Sequence, residues 1–362
     1  MLPGVGSTIS HALLEDFDGH PERIFEATAD ELAQNPNIRP SLARLIRSDD
    51  SLRRAEEELR TLEERASAGE LITPLFYGEE GYPEYLLNCA DAPLVLYVKG
   101  TLPTDGPMIA IVGTRRCTTY AADVIERMVG RWAELRPDLI IVSGLAYGVD
   151  ALAHRAALRH GLRSVGVVAH GHHTIYPSRH RDLASEMIHS GGGVVTEYPF
   201  YTKSFPQHFV LRNRIVAGMS RGTVVVESAR RGGALITAGL ALDYGQSVFA
   251  VPGRIFDPAS EGCNWLLTEQ RAACLADPDF LLEELSLLSD QSGAQQLPFS
   301  SGTEEGEEDP ILRELREAGP LTLNDLTLRL GEQAGALSGR LFELELSGKV
   351  RSLPGARYER TM

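Results

Sequence analysis

Six short, almost uninterrupted apolar runs, separated by five stretches with helical periodicity, constrain this 362-residue chain more than anything else in it. The runs are 108–112 (MIAIV), 139–143 (LIIVS), 164–169 (SVGVVA), 193–197 (GVVTE), 223–228 (TVVVES) and 247–251 (SVFAV). A strand with one wet face alternates apolar and polar residues. A run that is apolar throughout fits a parallel strand covered by helices on both faces. Between the runs, 119–135, 150–160, 180–190, 212–219 and 234–244 read as helices. This alternation predicts an α/β fold with a doubly wound, Rossmann-like parallel sheet over 107–288.

The flanks differ in character. Residues 1–66 read as wholly helical, with periodic runs at 10–17, 21–33, 40–48 and 50–67. Leu2-Pro3-Gly4-Val5-Gly6 ahead of the first helix is similar to the hairpin of helix-hairpin-helix modules, so a SAM-like or helix-hairpin-helix-like front is expected. Residues 67–106 read as a connector packing on the core, with one short strand at Leu94–Val98. Residues 289–309 carry no Lys or Arg against six Asp and Glu and few apolar residues, the composition of an acidic flexible linker. Residues 310–362 suggest helices at 310–318, 322–330 and 334–347 followed by a strand–turn–strand, the plan of a winged helix. Its third helix offers only Ser338 and Arg340 for reading bases, so docking is expected of it rather than sequence-specific binding.

Net charge is −15, but its distribution matters more than its sum. Residues 1–105 hold 9 Lys and Arg against 20 Asp and Glu, whereas 106–288 hold 18 against 17. Many arginines of the balanced region fall in the expected loops. The four cysteines, Cys89, Cys117, Cys263 and Cys274, form no C-x-x-C pair, which points away from zinc and disulfides and toward a reducing, cytoplasmic compartment. No signal peptide or membrane span is expected.

Ligands of doubly wound sheets bind beyond the carboxyl ends of the strands, so the loops there carry the functional reading. They hold Gly113-Thr114-Arg115-Arg116, Ser143-Gly144, a His170-Gly171-His172-His173 cluster with Arg179 beyond it, Lys203 and Phe209-Val-Leu-Arg212-Asn213-Arg214, and Gly232-Gly233 with Thr237. Glycines let backbone amides approach a phosphate, and arginine forks can hold it from the sides. Arg212 and Arg214 are expected in the first turn of a helix, where a bound anion would offset their repulsion from the helix dipole. An aromatic such as Phe209 beside cations suits a single strand, whose bases stack while its phosphates are held. Neither G-x-G-x-x-G after a strand nor G-x-x-x-x-G-K-[ST] occurs, so no NAD, ATP or other cofactor is expected. Asp150 reads as a helix N-cap. Glu197 and Glu227 read as partners of nearby arginines, and the histidine loop as a polar loop that a nearby phosphate would favour in its cationic form. No metal site and no catalytic constellation stands out.

The ordered motifs V-G-T-R, S-G-x-A-x-G-x-D-x-x-A-H (Ser143 to His154), I-Y-P, F-x-x-R-N-R-I-x-x-G-x-S, V-V-V-E, T-A-x-x-A and F-A-V-P-G resemble the DNA-processing protein A family, DprA or Smf. The resemblance implies a non-catalytic protein of natural transformation. Such a protein binds single-stranded DNA without sequence specificity and loads the RecA recombinase onto it, usually as a homodimer. It places DNA contacts at Arg115, Lys203, Phe209, Arg212, Asn213 and Arg214, lined by Gly113-Thr114, Ser143-Gly144 and Gly232-Gly233. The chain departs from the family's pattern at Ala169-His-Gly-His-His, at Gly232-Gly233-Ala234-Leu235, which lacks two hydroxyls, and at Val210-Leu211, where a basic residue is common. Two rival readings are a phosphoribohydrolase-like nucleotide hydrolase, whose P-G-G-x-G-T-x-x-E string is absent, and a ligand-sensing winged-helix regulator.

Overall fold

A computed structural model of the chain describes residues 5–288, 309–332, 334–353 and 357–361. They fall into two compact units, 1–291 and 292–362. Apart from Asp309, the acidic linker expected at 289–309 lies outside the described residues, as do Leu2-Pro3-Gly4 and residues 354–356 of the expected strand–turn–strand.

The first unit is built on one nine-stranded sheet. Its strands are β1 (Ile72–Phe76), β2 (Val95–Gly100), β3 (Met108–Val112), β4 (Ile140–Ser143), β5 (Arg163–Val167), β6 (Gly193–Thr196), β7 (Gly222–Val225), β8 (Ser247–Ala250) and β9 (Ala273–Cys274). The spatial order is β1-β2-β6-β5-β4-β3-β7-β8-β9. From β6 to β9 every pairing is parallel; β2 joins β6, and β1 joins β2, antiparallel. The fold is therefore the Rossmann-like sheet that the six apolar runs predict. The connector proves to extend the sheet rather than merely cover it. Pro74 lies inside β1, and a proline without an N–H suits that strand's place at the sheet edge.

All five residues of β3 are buried, because each face of the strand meets its own helical layer. Met108, Ala110 and Val112 point into one apolar cluster with Ile215, Val216 and Ala238. Ile109 and Ile111 point into the other, with Ile125, Val129 and Trp132. Burying each large aliphatic side chain is worth about 1.5–3 kcal/mol, so these strands cannot be turned over without losing both layers.

The front helices, Ser7–Asp16, Pro21–Glu26, Ala29–Leu32, Pro40–Ile46 and Asp49–Ser67, close on a small core of Leu13, Ile24, Leu32, Ile38 and Ile46. They tie to the sheet through the His11 ring, which bonds the Ala92 carbonyl at 2.8 Å, and Glu58, whose carboxylate accepts the Phe200 N–H at 2.7 Å. No helix among the described residues is long and apolar enough to cross a membrane.

The second unit carries helices Pro310–Ala318, Leu323–Leu330 and Ala334–Leu346 with β10 (Leu321–Thr322), β11 (Val350–Leu353) and β12 (Arg357–Arg360) in the order β10-β12-β11. Leu312, Leu315, Leu326, Leu337 and Leu341 form its core. Arg340, one of the two candidates for reading bases, is held by Glu332 at 2.9 Å and Asp309 at 3.0 Å. Its guanidinium is thus committed within its own unit.

Candidate nucleic-acid interface

Strands β3 and β7 lie side by side at the centre of the sheet, and the chain runs away from them in opposite directions. The loops that follow them diverge and leave a crevice at this switch in strand order. A cavity of about 290 Å³ occupies it, lined among others by Gly113, Thr114 and Arg115 after β3, Gly144 after β4, Phe209 and Asn213, and Gly232, Gly233 and Thr237. Residues more than a hundred positions apart thus share one groove. Two backbone bonds stitch its base: Val226 N–H to the Val112 carbonyl at 3.1 Å and Thr114 N–H to the Glu227 carbonyl at 2.7 Å.

Glu227 is 1% exposed, and its partner is not an arginine as expected. Its carboxylate accepts from Thr118 N–H at 2.9 Å and from the Thr118 hydroxyl. Thr118 is the N-cap of helix Thr119–Leu135, so a carboxylate sits where the helix dipole is positive. Glu197 does meet an arginine: Arg214 donates to it from Nη2 at 2.5 Å.

The arginines of the R-N-R motif face inward. Their helix runs Pro206–Gly218, six residues earlier at its start than the periodicity indicates, with Pro206 in its first turn. Arg212 therefore sits mid-helix, and the expected first-turn anion site does not form around it. Arg212 and Arg214 are 4% and 8% exposed. Arg212 Nη1 donates to the Gly144 carbonyl at 2.6 Å and to the Val167 carbonyl, tying the ends of two strands to the helix. Burial pushes its guanidinium down to about 10, opposed by the charge of Asp150. Asp150 is not the helix cap; that position belongs to Gly148. Buried instead, it accepts the Ala146 N–H at 3.2 Å, and burial raises its carboxyl above the usual range against the pull of Arg212. Ser143 is also consumed, its hydroxyl donating to the Ile111 carbonyl at 2.6 Å. These groups form the floor of the groove; Arg212 and Asp150 line its cavity, and Arg212 Nε is buried there without a hydrogen-bond partner.

What faces outward is different. Arg115 is exposed, and its guanidinium lies 5.4 Å from the centre of the Phe209 ring. Tyr176, 48% exposed, meets the same ring at 5.6 Å. Phe209 is half-buried between them. Phe209, Asn213 and Val216 line the cavity at a spacing of four and then three, one face of the helix. Arg116, Arg179 and Lys203 are exposed but do not line the cavity. The Arg116 N–H is bonded to the Thr114 hydroxyl at 3.2 Å.

The glycines divide into two kinds. A side chain on Gly144 would strike Arg212 at 2.5 Å and Asp150 at 2.6 Å, so this glycine is demanded by the floor. A side chain on Gly233 would meet nothing within 4 Å. Gly233 opens helix Gly233–Asp243, which has no side-chain cap at its N-terminus. Gly232, Gly233 and Ala234 at this helix start line the groove, and an uncapped helix N-terminus favours an anion.

The histidine loop is not a cationic rim. His170 is fully buried: Nδ1 donates to the Gly171 carbonyl at 2.9 Å while Nε2 accepts the Tyr176 N–H at 3.1 Å, which defines a neutral ring. His172 bonds the Tyr97 carbonyl at 2.9 Å, and burial pushes it down to about 4. His154 bonds Ser164 at 2.7 Å and is pushed down to about 3 by the same cause. Among the described residues no cluster of three His, Cys, Asp or Glu could hold a metal ion.

Fold and site define an α/β protein with a doubly wound sheet, a switch-point groove with an arginine-tied floor and exposed Arg115 at its mouth, and a winged helix as a separate unit. The chain belongs to the DNA recombination-mediator protein A family, whose description matches residues 73–286, and is a DNA-processing recombination mediator. Residues 295–356 match the DprA winged helix domain. Protein Smf of Escherichia coli is 36% identical over 291 residues, 76% of this chain and 74% of the relative. The DNA processing protein DprA of Bacillus subtilis is 40% identical over 206 residues, 56% and 68% respectively. The X-ray structure of DprA from Streptococcus pneumoniae superposes with a TM-score of 0.65 at 30% identity, over 78% of this chain and 94% of the other. A DNA processing protein A from Helicobacter pylori, described for its single-stranded DNA binding mode, superposes with a TM-score of 0.52 at 26% identity, over 59% and 95%.

Proposed function

We propose that the switch-point groove binds single-stranded DNA without sequence preference, and that the protein, acting in the cytoplasm as a homodimer, delivers the strand to RecA. One observation carries the binding half of this reading: exposed Arg115 stands over Phe209 at the mouth of a groove whose far wall is the open N-terminus of helix Gly233–Asp243. A phosphate meets backbone N–H groups on one side and a guanidinium on the other, while the aromatic pair Phe209 and Tyr176 offers ring surface to a base. Every base has such a face, so sequence is not read. Arg212 and Asp150 act by holding the floor in shape, the Arg214–Glu197 pair fixes the same helix to the end of β6, and Arg116, Arg179 and Lys203 add positive potential around the groove.

Delivery to RecA and dimerisation rest on membership of the family and on the single-stranded DNA named for the Helicobacter pylori relative. The tail is assigned to docking, because Arg340 is bound to Glu332 and Asp309.

Fluorescence anisotropy with labelled oligo-dT and with a duplex of equal length tests the binding step. Tight binding of the single strand with a log–log salt slope of about −0.7 per phosphate neutralised is the expected result. Preference for the duplex overturns it. RecA filament formation on single strands, measured with and without the protein, tests delivery, and size-exclusion chromatography with light scattering tests the dimer.

A further inference from the structure

A second cavity, of about 260 Å³, adjoins the groove. Gly232 and Ile236 line both. On its far side stand Arg230, Arg231 and Arg271, all exposed, around the half-buried ring of Trp265. Arg230 lies 4.0 Å and Arg271 5.5 Å from the centre of that ring. This is a concentrated positive patch in a chain whose net charge is −15. It also has the composition that suits a single strand: three guanidinium groups for phosphates and an indole for a base. Ile236, 44% exposed on the first turn of helix Gly233–Asp243, forms an apolar ridge between the two cavities.

We propose that the bound strand leaves the groove across Ile236 and continues onto this second site, where Arg230, Arg231 and Arg271 hold its phosphates beside Trp265. The proposal rests on the single-strand reading of the groove and extends it. The two guanidinium groups beside Trp265 are ordered by the ring before DNA arrives, so less freedom is lost when phosphates bind. A strand confined to the groove does not reach them. A strand long enough to cross the ridge does, and the protein's apparent affinity therefore depends on length in a way that the patch controls.

The test compares labelled oligo-dT of about six and about twenty nucleotides, one near the lower end of common single-strand site sizes and one above them, on the full chain by anisotropy across a salt titration. Arg230→Ala with Arg271→Ala lowers the affinity for the longer oligomer at least fivefold and makes its salt slope shallower by about 0.7 for each phosphate no longer neutralised. The shorter oligomer binds the variant as it binds the wild type. Arg231→Ala, which disturbs no ring packing, gives a smaller loss of the same kind. The emission of Trp265, separated from that of Trp132 by a Trp132→Phe background, changes on adding the longer oligomer and not the shorter. Equal losses for both oligomers, or no loss for either, overturn the proposal while wild-type binding of the short oligomer leaves the groove reading standing. A wild-type protein that binds neither oligomer removes both.

Discussion

Arg212 Nη1 donates to the Gly144 carbonyl at 2.6 Å from a position 4% exposed, with a second bond to the Val167 carbonyl. The motif's first arginine is thus a brace between a helix and two strand ends. Its removal leaves two carbonyls and the buried Asp150 without their donor and counter-charge. Each buried acceptor left unsatisfied costs about 1–3 kcal/mol. Arg212→Ala accordingly lowers the urea midpoint well below that of the wild type, and single-strand affinity falls with it because the groove floor collapses. A wild-type midpoint with lost affinity would show instead that Arg212 contacts DNA directly.

The neighbouring pair behaves the same way. Arg214 and Glu197 have side chains 9% and 8% exposed, so Arg214→Ala strands a buried carboxylate, at a cost of about 3–5 kcal/mol. Burial already raises the Glu197 carboxyl, with Arg214 pulling it down. In the variant that opposing pull is gone, and Glu197 titrates at higher pH than in the wild type. Chemical denaturation at two pH values checks this: the variant recovers part of its lost stability on acidification, whereas a pH-independent deficit contradicts it.

His154 and His172, held near 3 and 4 from an ordinary 6.5, make the fold acid-sensitive. Above about 6.5 both rings are neutral whether the chain is folded or not. As pH falls below that, the unfolded chain takes up protons that the folded chain refuses, so stability is lost progressively toward the folded values. His172→Gln keeps a donor for the Tyr97 carbonyl and removes the titration. The melting temperature of this variant declines less between pH 7 and pH 5 than that of the wild type. An identical slope in both proteins would place the acid sensitivity elsewhere.

The two kinds of glycine separate fold from binding. Gly144→Ala drives a methyl group into Arg212 and Asp150, and the melting temperature drops by several degrees. Gly233→Ala has open space around it and leaves the melting temperature within about a degree, but it fills the approach to the helix N-terminus, so oligo-dT affinity falls. Calorimetry beside anisotropy on both variants reads the contrast; unchanged affinity in Gly233→Ala removes this helix end from the phosphate site.

At the mouth of the groove, Phe209→Ala weakens oligo-dT binding by roughly 1–3 kcal/mol, about fivefold to about 150-fold, if a base uses the ring. Arg115→Ala weakens it and makes the salt slope shallower by about 0.7. Deleting 310–362 leaves most single-strand affinity in place. A loss from that deletion matching the Arg115 variant would make the tail a main DNA-binding element.

Continuous apolar runs such as 108–112 determined the parallel sheet from the sequence, because residues alternately facing two helical layers must all be apolar. Glycines and cations in the loops after those runs pointed to the carboxyl end of the sheet, and Gly113, Arg115, Gly144 and Gly233 meet there around one cavity where strand order reverses. The sequence could not say which way each side chain turns. Arg115 and Arg212 are the same residue type in neighbouring motifs, yet one is exposed over Phe209 and the other is buried on the Gly144 carbonyl. That difference follows from where helix Pro206–Gly218 begins and how it crosses β4 and β5, a matter of packing between segments far apart in the chain. For the same reason Glu227 found a helix start instead of an arginine, the histidine loop turned inward to carbonyls, and Trp265 came beside a groove whose lining reaches back to Gly113. Local pattern determines what an element is; only the assembled sheet decides which charges it buries and which it offers to a strand of DNA.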